Sequence, residues 1–219
     1  MDSCIYPPAE DTFLLIDAIV DDRDFMQRYF MSLPSLFVEI GVGSGTVTSQ
    51  VAASCFDDHA KTLYLGTDIQ YPALHRFQQF VPSVATEKQR IVEVVQGDLL
   101  TFLRPMDEWV CIFNPPYVAT EEEEYWRGQH QRSDIATWAG GILGRQLVDR
   151  FCQQLCELTR NSRRVLLYLL LVDTNQPTQV MQFLQTNGNF CTLEINHRRV
   201  GWESIRVYRC WKRSFSALK

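Results

Sequence analysis

Apolar runs alternate with segments of helical spacing along most of the chain. Five of these runs predict strands, and they are Leu36–Ile40, Leu63–Asp68, Ile91–Gln96 and residues 110–113 and 165–172. The run over residues 165–172 has no polar alternation, so we expect that strand to be buried on both faces. Because helical segments separate most of the runs, the pattern predicts an α/β fold with a parallel sheet.

The C-terminal part of the chain departs from this alternation. Residues 191–196 and 205–211 predict two more strands, and residues 197–201 form the short turn between them, so we expect an antiparallel pair. The chain contains no internal repeat, low-complexity segment or linker. A length of 219 residues therefore predicts a single domain, with an N-terminal segment over about residues 1–33 and a core over about residues 34–213.

Three segments outside the predicted strands carry expectations of their own. The segment over residues 6–16 opens like the entrance to a helix, and either Asp11 or Thr12 could cap that helix. Four consecutive glutamates at residues 121–124 predict a solvated acidic loop. Residues 139–144 include three glycines and predict a flexible connection into a helix.

The ends of the first three strands carry residues that suit a nucleoside. Glu39 is followed by the turn Gly41-Val42-Gly43-Ser44-Gly45 and then by a helical run. Glycines there let the backbone turn tightly and let a ligand approach the helix N-terminus. Asp68 comes about 20 residues later, the spacing of a carboxylate that accepts hydrogen bonds from ribose hydroxyls. Asp98 follows the third strand. A turn without ligand, and a solvated or helix-capping Asp68, are the alternatives.

The fourth strand ends in Asn114-Pro115-Pro116-Tyr117. Neither proline can donate to a sheet ladder, so the ladder stops at Asn114, at the strand end where ligands bind in open α/β sheets. A planar amide or aryl amine is a poor nucleophile because its nitrogen lone pair is delocalised. Hydrogen bonds from its N–H groups to the Asn114 side-chain oxygen and the Pro115 carbonyl, with stacking by Tyr117, would activate it by positioning. An ordinary Pro-Pro loop is the alternative.

Composition narrows the class of protein. A net charge of −5 and a pI of about 5.4 argue against a general binder of nucleic-acid phosphates. Seven scattered cysteines without a C-x-x-C pair predict neither a disulfide framework nor a metal site. The sequence shows no signal-peptide pattern and no stretch of transmembrane length, so we expect a reduced, cytoplasmic protein that could also enter the nucleus.

Together these motifs resemble the class I S-adenosylmethionine-dependent methyltransferases of the HemK-like glutamine methyltransferase group. The resemblance covers about residues 5–211 and implies a Rossmann-like seven-stranded sheet, mostly parallel with an antiparallel C-terminal strand pair and helices on both faces. Three further stretches are similar to the short eukaryotic and archaeal branch of that group: Pro8-Ala9-Glu10-Asp11-Thr12-Phe13-Leu14-Leu15, Trp138-Ala139-Gly140-Gly141 with Gly144-Arg145 and Asp149-Arg150-Phe151, and Gly201-x-Glu203-Ser204.

The resemblance also implies roles for individual residues. Residues that would bind S-adenosyl-L-methionine, and its product S-adenosyl-L-homocysteine, are Thr12, Glu39, Gly41, Gly43, Gly45, Asp68, Asp98, Leu99 and Asn114. Among them, Asp68 would hold the ribose, whereas Asp98 and Leu99 would meet the adenine. The preceding Glu10-Asp11 would close over the cofactor together with Thr12. Catalytic residues that would hold the substrate amide are Asn114, Pro115, Pro116 and Tyr117.

The implied substrate is the glutamine of the Gly-Gly-Gln motif in a class 1 translation termination factor, methylated at N5. Because Asn-Pro-Pro-Tyr also occurs in DNA and RNA amino methyltransferases, transfer to nucleic-acid bases, or to lysine in other proteins, stays open. The chain has no room for a target-recognition domain, and the glutamates at residues 121–124 would repel phosphates. In favour of RNA, residues 196–219 hold seven Lys/Arg and one acid.

A protein partner is the last expectation from the resemblance. Enzymes of this branch work as heterodimers with a small activator protein, which binds zinc in eukaryotes. In the usual strand order of the fold Ile91–Gln96 lies at a sheet edge, and it lacks the Lys or Pro that blunts an exposed edge. The partner would therefore add a strand alongside Ile91–Gln96. Cover by the chain's own helices, or self-association, is the alternative.

Overall fold

A computed structural model describes residues 5, 7–31, 34, 36–54, 62–85 and 91–212, with side chains described outside residues 82–85. The strands are β1 (Leu36–Ile40), β2 (Leu63–Asp68), β3 (Ile91–Gln96), β4 (Glu108–Phe113), β5 (Val118–Ala119), β6 (Ala139–Gly141), β7 (Arg164–Val172), β8 (Phe190–Val200) and β9 (Glu203–Lys212). The α-helices are α1 (Glu10–Asp21), α2 (Arg23–Phe30), α3 (Thr46–Ser54), α4 (Tyr71–Ala85), α5 (Glu122–Gln131), α6 (Gln146–Leu158) and α7 (Pro177–Gly188).

Seven strands form one twisted sheet in the order β3-β2-β1-β4-β7-β9-β8. All neighbours pair in parallel except β9, which is antiparallel to both β7 and β8. The predicted Rossmann-like α/β fold with an antiparallel C-terminal pair is confirmed. Strand order reverses between β1 and β4, so the glycine turn after β1 and the Asn-Pro-Pro-Tyr turn after β4 lie side by side.

Apolar side chains fill both faces of the sheet. Helices α6 and α7 cover one face, where Phe151 and Leu184 belong to the same buried cluster as Leu167 and Phe113. Helices α1, α2 and α3 cover the other face. Consecutive residues of β7 join opposite clusters, and from residue 165 to residue 172 none is more than 1% exposed. This burial confirms the prediction made from the missing polar alternation.

Two boundaries differ from the sequence prediction. Helix α1 begins at Glu10 with Ala9 as its N-cap, so neither Asp11 nor Thr12 caps it. The helix starts earlier because the Thr12 hydroxyl reaches back and accepts a hydrogen bond from the Ala9 N–H at 3.3 Å. The C-terminal strands are longer than predicted, since the ladder continues through residues 197–200, and only Gly201, at φ +62°, and Trp202 form the turn.

The segment predicted as an acidic loop is helix α5. Its first turn holds Glu122, Glu123 and Glu124, and negative charges at a helix N-terminus favour the helix dipole. Gly128 lets the helix pack closely, because a Cβ at that position would lie 3.0 Å from the Ala136 backbone nitrogen. The prediction that these glutamates are solvated is therefore correct, but the prediction of a loop is wrong, because tertiary packing supports a helix there.

The described part of the chain lacks two kinds of feature. It contains no helix that is both long enough and apolar enough to span a membrane. It also contains no group of three or more His, Cys, Asp or Glu side chains arranged to hold a metal ion.

Candidate active site

A pocket opens at the carboxyl ends of β1, β2 and β4, where the strand order reverses. It encloses about 1140 Å³ of empty space, its open mouth included. The fold brings together almost every residue that the sequence singled out. Those lining the pocket are Thr12, Glu39, Gly41, Gly43, Asp68, Asp98, Leu99, Asn114, Pro115, Pro116 and Tyr117.

The glycine turn provides open backbone at the pocket wall. Gly41 and Gly43 have φ values of +67° and +47°, which side chains rarely adopt, and a Cβ on either would meet no atom within 4 Å. Gly45, unlike the other two glycines of the turn, does not line the pocket. A Cβ there would lie 3.1 Å from Val81 and 3.2 Å from Phe77, so this glycine makes room for α4.

Two carboxyl groups lie at the ends of neighbouring strands β1 and β2. The Glu39 Oε2 accepts hydrogen bonds from the Thr48 N–H, at 3.0 Å, and from the Thr48 hydroxyl. Burial raises the pKa of Glu39 to about 7, and the nearby Asp68 adds to this rise, while the bonds from Thr48 oppose it. Asp68 accepts hydrogen bonds from the backbone N–H groups of Gly43, at 3.3 Å, and Gln70, at 2.9 Å. Burial raises its pKa as well.

The loop after β3 is held by α6. Arg150 pairs with one oxygen of Asp98, and the Leu100 N–H donates to the Gln154 side chain at 3.0 Å. Leu99 between them is buried at φ +52°, a conformation that non-glycine residues seldom adopt. Backbone strain of this kind is retained where surrounding contacts fix it, and here it presents Leu99 to the pocket.

Asp11 orients the two polar side chains of the Asn-Pro-Pro-Tyr turn. Its Oδ2 accepts hydrogen bonds from the Asn114 Nδ2 at 3.1 Å and from the Tyr117 hydroxyl at 3.2 Å, and the residue is 2% exposed. Because a carboxylate only accepts, the amide nitrogen of Asn114 must face Asp11 and the amide oxygen must face away from it. That oxygen, Asn114 Oδ1, is buried and has no hydrogen-bond partner within the described chain.

The backbone of the same turn is fixed by a second layer. Strand β6 pairs in parallel with β5, which follows Tyr117 directly. The prediction of a flexible connection over residues 139–144 is therefore wrong. A Cβ on Gly140 would lie 2.6 Å from the Pro116 carbonyl oxygen, and one on Gly144 would lie 1.9 Å from that of Tyr117. The Asn175 Nδ2 also donates to the Tyr117 carbonyl at 3.1 Å. Glycine is required at both positions because the backbone there touches the backbone of the Asn-Pro-Pro-Tyr turn.

Sequence reasoning missed four residues around the site. Asp11 was expected only to close over a cofactor or cap a helix, and Arg150 only as part of a family motif. Asn175 follows the apolar strand β7, so the strand-end signal that found Asp68 and Asp98 could have found it. Gln129, which also lines the pocket, carried no signal because its helix was predicted as a loop.

The strand order, the glycine turn and the Asn-Pro-Pro-Tyr turn together define a class I methyltransferase. The human protein named methyltransferase HEMK2 is 32% identical over 211 residues, which cover 96% of this chain and 91% of that protein. The chain therefore belongs to the HEMK2 family of methyltransferases. A scan against protein-family models gave no match.

Other comparisons agree with this family. The Schizosaccharomyces pombe protein named eRF1 methyltransferase catalytic subunit mtq2 is 27% identical over 225 residues, covering 95% of this chain and 89% of that protein. The solved Mtq2–Trm112 complex of E. cuniculi, described as responsible for methylation of the eRF1 translation termination factor, superposes with a TM-score of 0.66. That match has 24% identity and covers 97% of this chain and 100% of the other. It establishes the shared fold.

Proposed function

We propose that this enzyme transfers a methyl group from S-adenosyl-L-methionine to the N5 nitrogen of the Gly-Gly-Gln glutamine in a class 1 translation termination factor. The observation that carries the proposal is the unpaired Asn114 Oδ1, a buried acceptor whose orientation Asp11 fixes. An amide N–H is the donor that such an oxygen lacks. The names of the S. pombe and E. cuniculi relatives, which methylate eRF1, support the same substrate.

The pocket fits the proposed cofactor. The pocket wall has open backbone at Gly41 and Gly43, with Glu39 beside them and Asp68 beyond them. This order of groups matches the amino-acid end and then the ribose of S-adenosyl-L-methionine. Asp98 has one oxygen paired with Arg150, which leaves the other to accept from an adenine amino group. S-adenosyl-L-methionine, when bound, supplies an electrophilic methyl group on a positively charged sulfur.

Catalysis by this chain is then a matter of placing the substrate nitrogen. Asn114 Oδ1 and the Pro115 carbonyl accept hydrogen bonds from the two N–H groups of the amide, which raises electron density on nitrogen and fixes its direction. When bound, the cofactor would supply the methyl group, and Asn114 and Pro115 would hold the substrate nitrogen that accepts it and gives up one N–H proton. The residues act by positioning and electrostatics, without a covalent intermediate on the protein.

The direct test is transfer of a labelled methyl group to a panel of acceptors: a termination factor, its Gly-Gly-Gln Gln→Ala variant, transfer RNA and DNA. We expect label only in the intact factor, and we expect Asn114→Ala to abolish transfer while S-adenosyl-L-homocysteine still binds. Label in the Gln→Ala variant or in nucleic acid would refute the substrate. Near-normal turnover by Asn114→Ala would refute the mechanism.

We also propose that a small activator protein, zinc-binding as in eukaryotic members of the branch, pairs with β3. This strand is at the sheet edge, and Ile91 is 56% exposed. Val92 and Val94 pack against the cluster formed by α4, so the other face of the strand, with Ile91 and Val95, is the one left for a partner. The E. cuniculi relative was solved as a complex with Trm112, which supports such a partner.

The partner is tested by expressing the chain alone and together with a Trm112-like protein. Ile91→Lys should prevent co-purification of the partner. Leu193→Lys is the control and should not prevent it, because Leu193 lies on β8, the opposite edge strand, where it is 48% exposed. Val94 is unsuitable for this test since its side chain packs toward α4. A chain that is monomeric, soluble and fully active when made alone would contradict the proposal.

A further inference from the structure

The hairpin of β8 and β9 extends beyond the rest of the sheet at the edge where the pocket opens. The pairing of β7 with β9 ends at Val172 and Ile205, whereas β8 and β9 stay paired up to the turn at Gly201 and Trp202. Because β7 ends there at its carboxyl end, residues 199–204 project past the edge of the sheet that carries the pocket. We call these residues the hairpin tip.

Two contacts fasten the base of the hairpin tip to elements that build the active site. Arg198 pairs with Glu10 on α1, and the next residue of that helix is Asp11, which orients the Asn-Pro-Pro-Tyr turn. On the other strand, Glu203 accepts a hydrogen bond from the Thr174 hydroxyl at 2.8 Å, in the segment after β7 that also holds the backbone of the turn. The tip therefore has a defined position next to elements that line the pocket.

Trp202 contributes little to the fold itself. It is 97% exposed, more than any other large apolar side chain of the described chain, and Val200 beside it is 43% exposed. The turn needs glycine at its first position, where Gly201 has φ +62°, and turns otherwise favour small polar residues over tryptophan. Large apolar side chains that are exposed together mark interaction sites. The tip is therefore a surface for another molecule.

The charges of the hairpin favour a protein over a nucleic acid as that molecule. The sequence suggested RNA because residues 196–219 are rich in Lys and Arg, but most of these cations in the described chain are ion-paired or buried. Those cations are Arg198, Arg206, Arg209 and Lys212. Arg199 alone has no acid partner within the described residues, and one cation makes no path for phosphates. Trp beside Arg is instead typical of a protein interface.

The activator protein proposed above lies at the other side of the molecule. It would pair with β3, and the strand order places β3 at one edge of the sheet and β8 at the other. Neighbouring strands are about 4.8 Å apart, so the two edges of seven strands lie roughly 29 Å from each other. A protein paired with β3 therefore leaves the hairpin tip open.

We propose that the hairpin tip docks the termination factor, with Trp202 entering an apolar recess of that protein and Arg199 facing an acidic side chain beside the recess. This inference rests on the proposed function and adds where the substrate protein is recognised. Two of the three residues of Gly-Gly-Gln have no side chain, so the pocket can read only the glutamine. Selection of one protein must then come from surface outside the pocket.

The hairpin tip lies within the span of an ordinary protein interface around the pocket. Such an interface covers about 800 Å² of each partner and is thus roughly 30 Å across. Arg198 contacts Glu10, the neighbour of the pocket residue Asp11, and the tip extends about 10 Å further along the hairpin. A protein whose glutamine occupies the pocket can therefore meet Trp202 at the same time.

The test compares methyl transfer to the intact termination factor with transfer to a short Gly-Gly-Gln peptide, using the full chain co-expressed with a Trm112-like protein. We expect Trp202→Ala to raise KM for the factor by roughly 10- to 30-fold, with kcat at saturation changed less than about twofold. Trp202→Phe should restore most of the loss. Transfer to the peptide should be unchanged, because the peptide is too short to extend to the tip.

Leu193→Ala is the matched control, because Leu193 is exposed on the same hairpin away from the tip. It should leave KM for the factor unchanged. Arg199→Glu should raise this KM by reversing the charge that faces the factor. Urea unfolding and S-adenosyl-L-homocysteine binding should be the same for all four variants and the unaltered enzyme, since these side chains lie outside the core and the pocket.

Several outcomes would overturn the assignment. An unchanged KM in Trp202→Ala, or an equal rise in Leu193→Ala, would remove the tip from the substrate interface. Equal losses for factor and peptide would mean that the tip acts on the active site instead. Weaker transfer RNA binding with KM for the factor kept would assign the tip to nucleic acid, and a dimer in sedimentation that Trp202→Ala dissociates would assign it to a second copy of the chain. Failure of the proposed function is distinguishable, because the unaltered enzyme would then transfer no methyl group to the factor.

Discussion

Asp11→Asn is the substitution that best isolates how the site is organised. The change keeps the shape of the side chain but replaces one acceptor oxygen with an NH₂ donor. In the present structure one oxygen accepts from Asn114 and Tyr117, and the other accepts from the Thr12 N–H at 2.7 Å. Whichever way the new amide turns, its NH₂ group faces an N–H donor, so at least one hydrogen bond is lost.

The expected effect follows from the bonds involved. A hydrogen bond to a charged group contributes about 1.5–3 kcal/mol, and about 1.4 kcal/mol corresponds to a tenfold change in rate. If the lost bond is the one that orients Asn114, its carbonyl oxygen no longer faces the substrate reliably. We therefore expect kcat to fall roughly 10- to 100-fold, with the affinity for S-adenosyl-L-homocysteine changed less than about threefold.

The assay is steady-state methyl transfer to a glutamine peptide, with calorimetry of S-adenosyl-L-homocysteine binding alongside. Asp17→Asn is the matched control, because Asp17 is exposed on the same helix. If Asp11 acts through Asn114, kcat should fall while the affinity for S-adenosyl-L-homocysteine is nearly kept. An unchanged kcat, or a cofactor affinity that falls in step with kcat, would refute this reasoning.

Three further predictions concern the cofactor end and the acidic helix. Asp68→Ala should weaken binding of S-adenosyl-L-homocysteine by about 1.5–3 kcal/mol, and unchanged affinity in calorimetry would remove Asp68 from the site. Folding raises the Glu39 pKa from 4.5 to about 7, so stability of the cofactor-free protein should decline as pH rises through that window, and less so in Glu39→Gln. If urea unfolding gives the same change of stability with pH for the unaltered protein and for Glu39→Gln, this prediction is wrong. Glu122→Lys together with Glu123→Lys should slow association with a basic substrate protein and flatten the dependence of the association rate on salt, as measured by stopped flow. Unchanged rates would mean that these glutamates form only a solvated surface.

Strand ends were predictable from the sequence because their signals are local. The glycine turn, Asp68, Asp98 and the Asn-Pro-Pro-Tyr turn each follow an apolar run directly, and a parallel sheet brings such ends to one edge. The fold class followed from the same alternation. The central strands agreed with the structure to within two residues because burial on both faces requires continuous apolar sequence.

Contacts between distant segments were beyond the sequence. Asp11 and Asn114 are 103 residues apart, and nothing near Asp11 indicates that its carboxylate faces the active site. Helix α5 was missed because its support comes from packing of Gly128 against Ala136 rather than from an apolar stripe. The close approach of α4 to Gly45 was beyond the sequence for a similar reason.

The contact between β6 and the Asn-Pro-Pro-Tyr turn has a consequence for how such enzymes change over time. Gly140, Gly144 and Asn175 touch carbonyl groups of the turn, so a substitution that moves any one of them displaces the catalytic backbone. Helix α5 is under no such restraint along its outer face, where Trp126 is 42% exposed. Substitutions on that outer face are therefore expected to leave the Asn-Pro-Pro-Tyr turn in place. Laboratory evolution toward new protein substrates should accordingly diversify that outer face and leave the turn and its glycine neighbours unchanged.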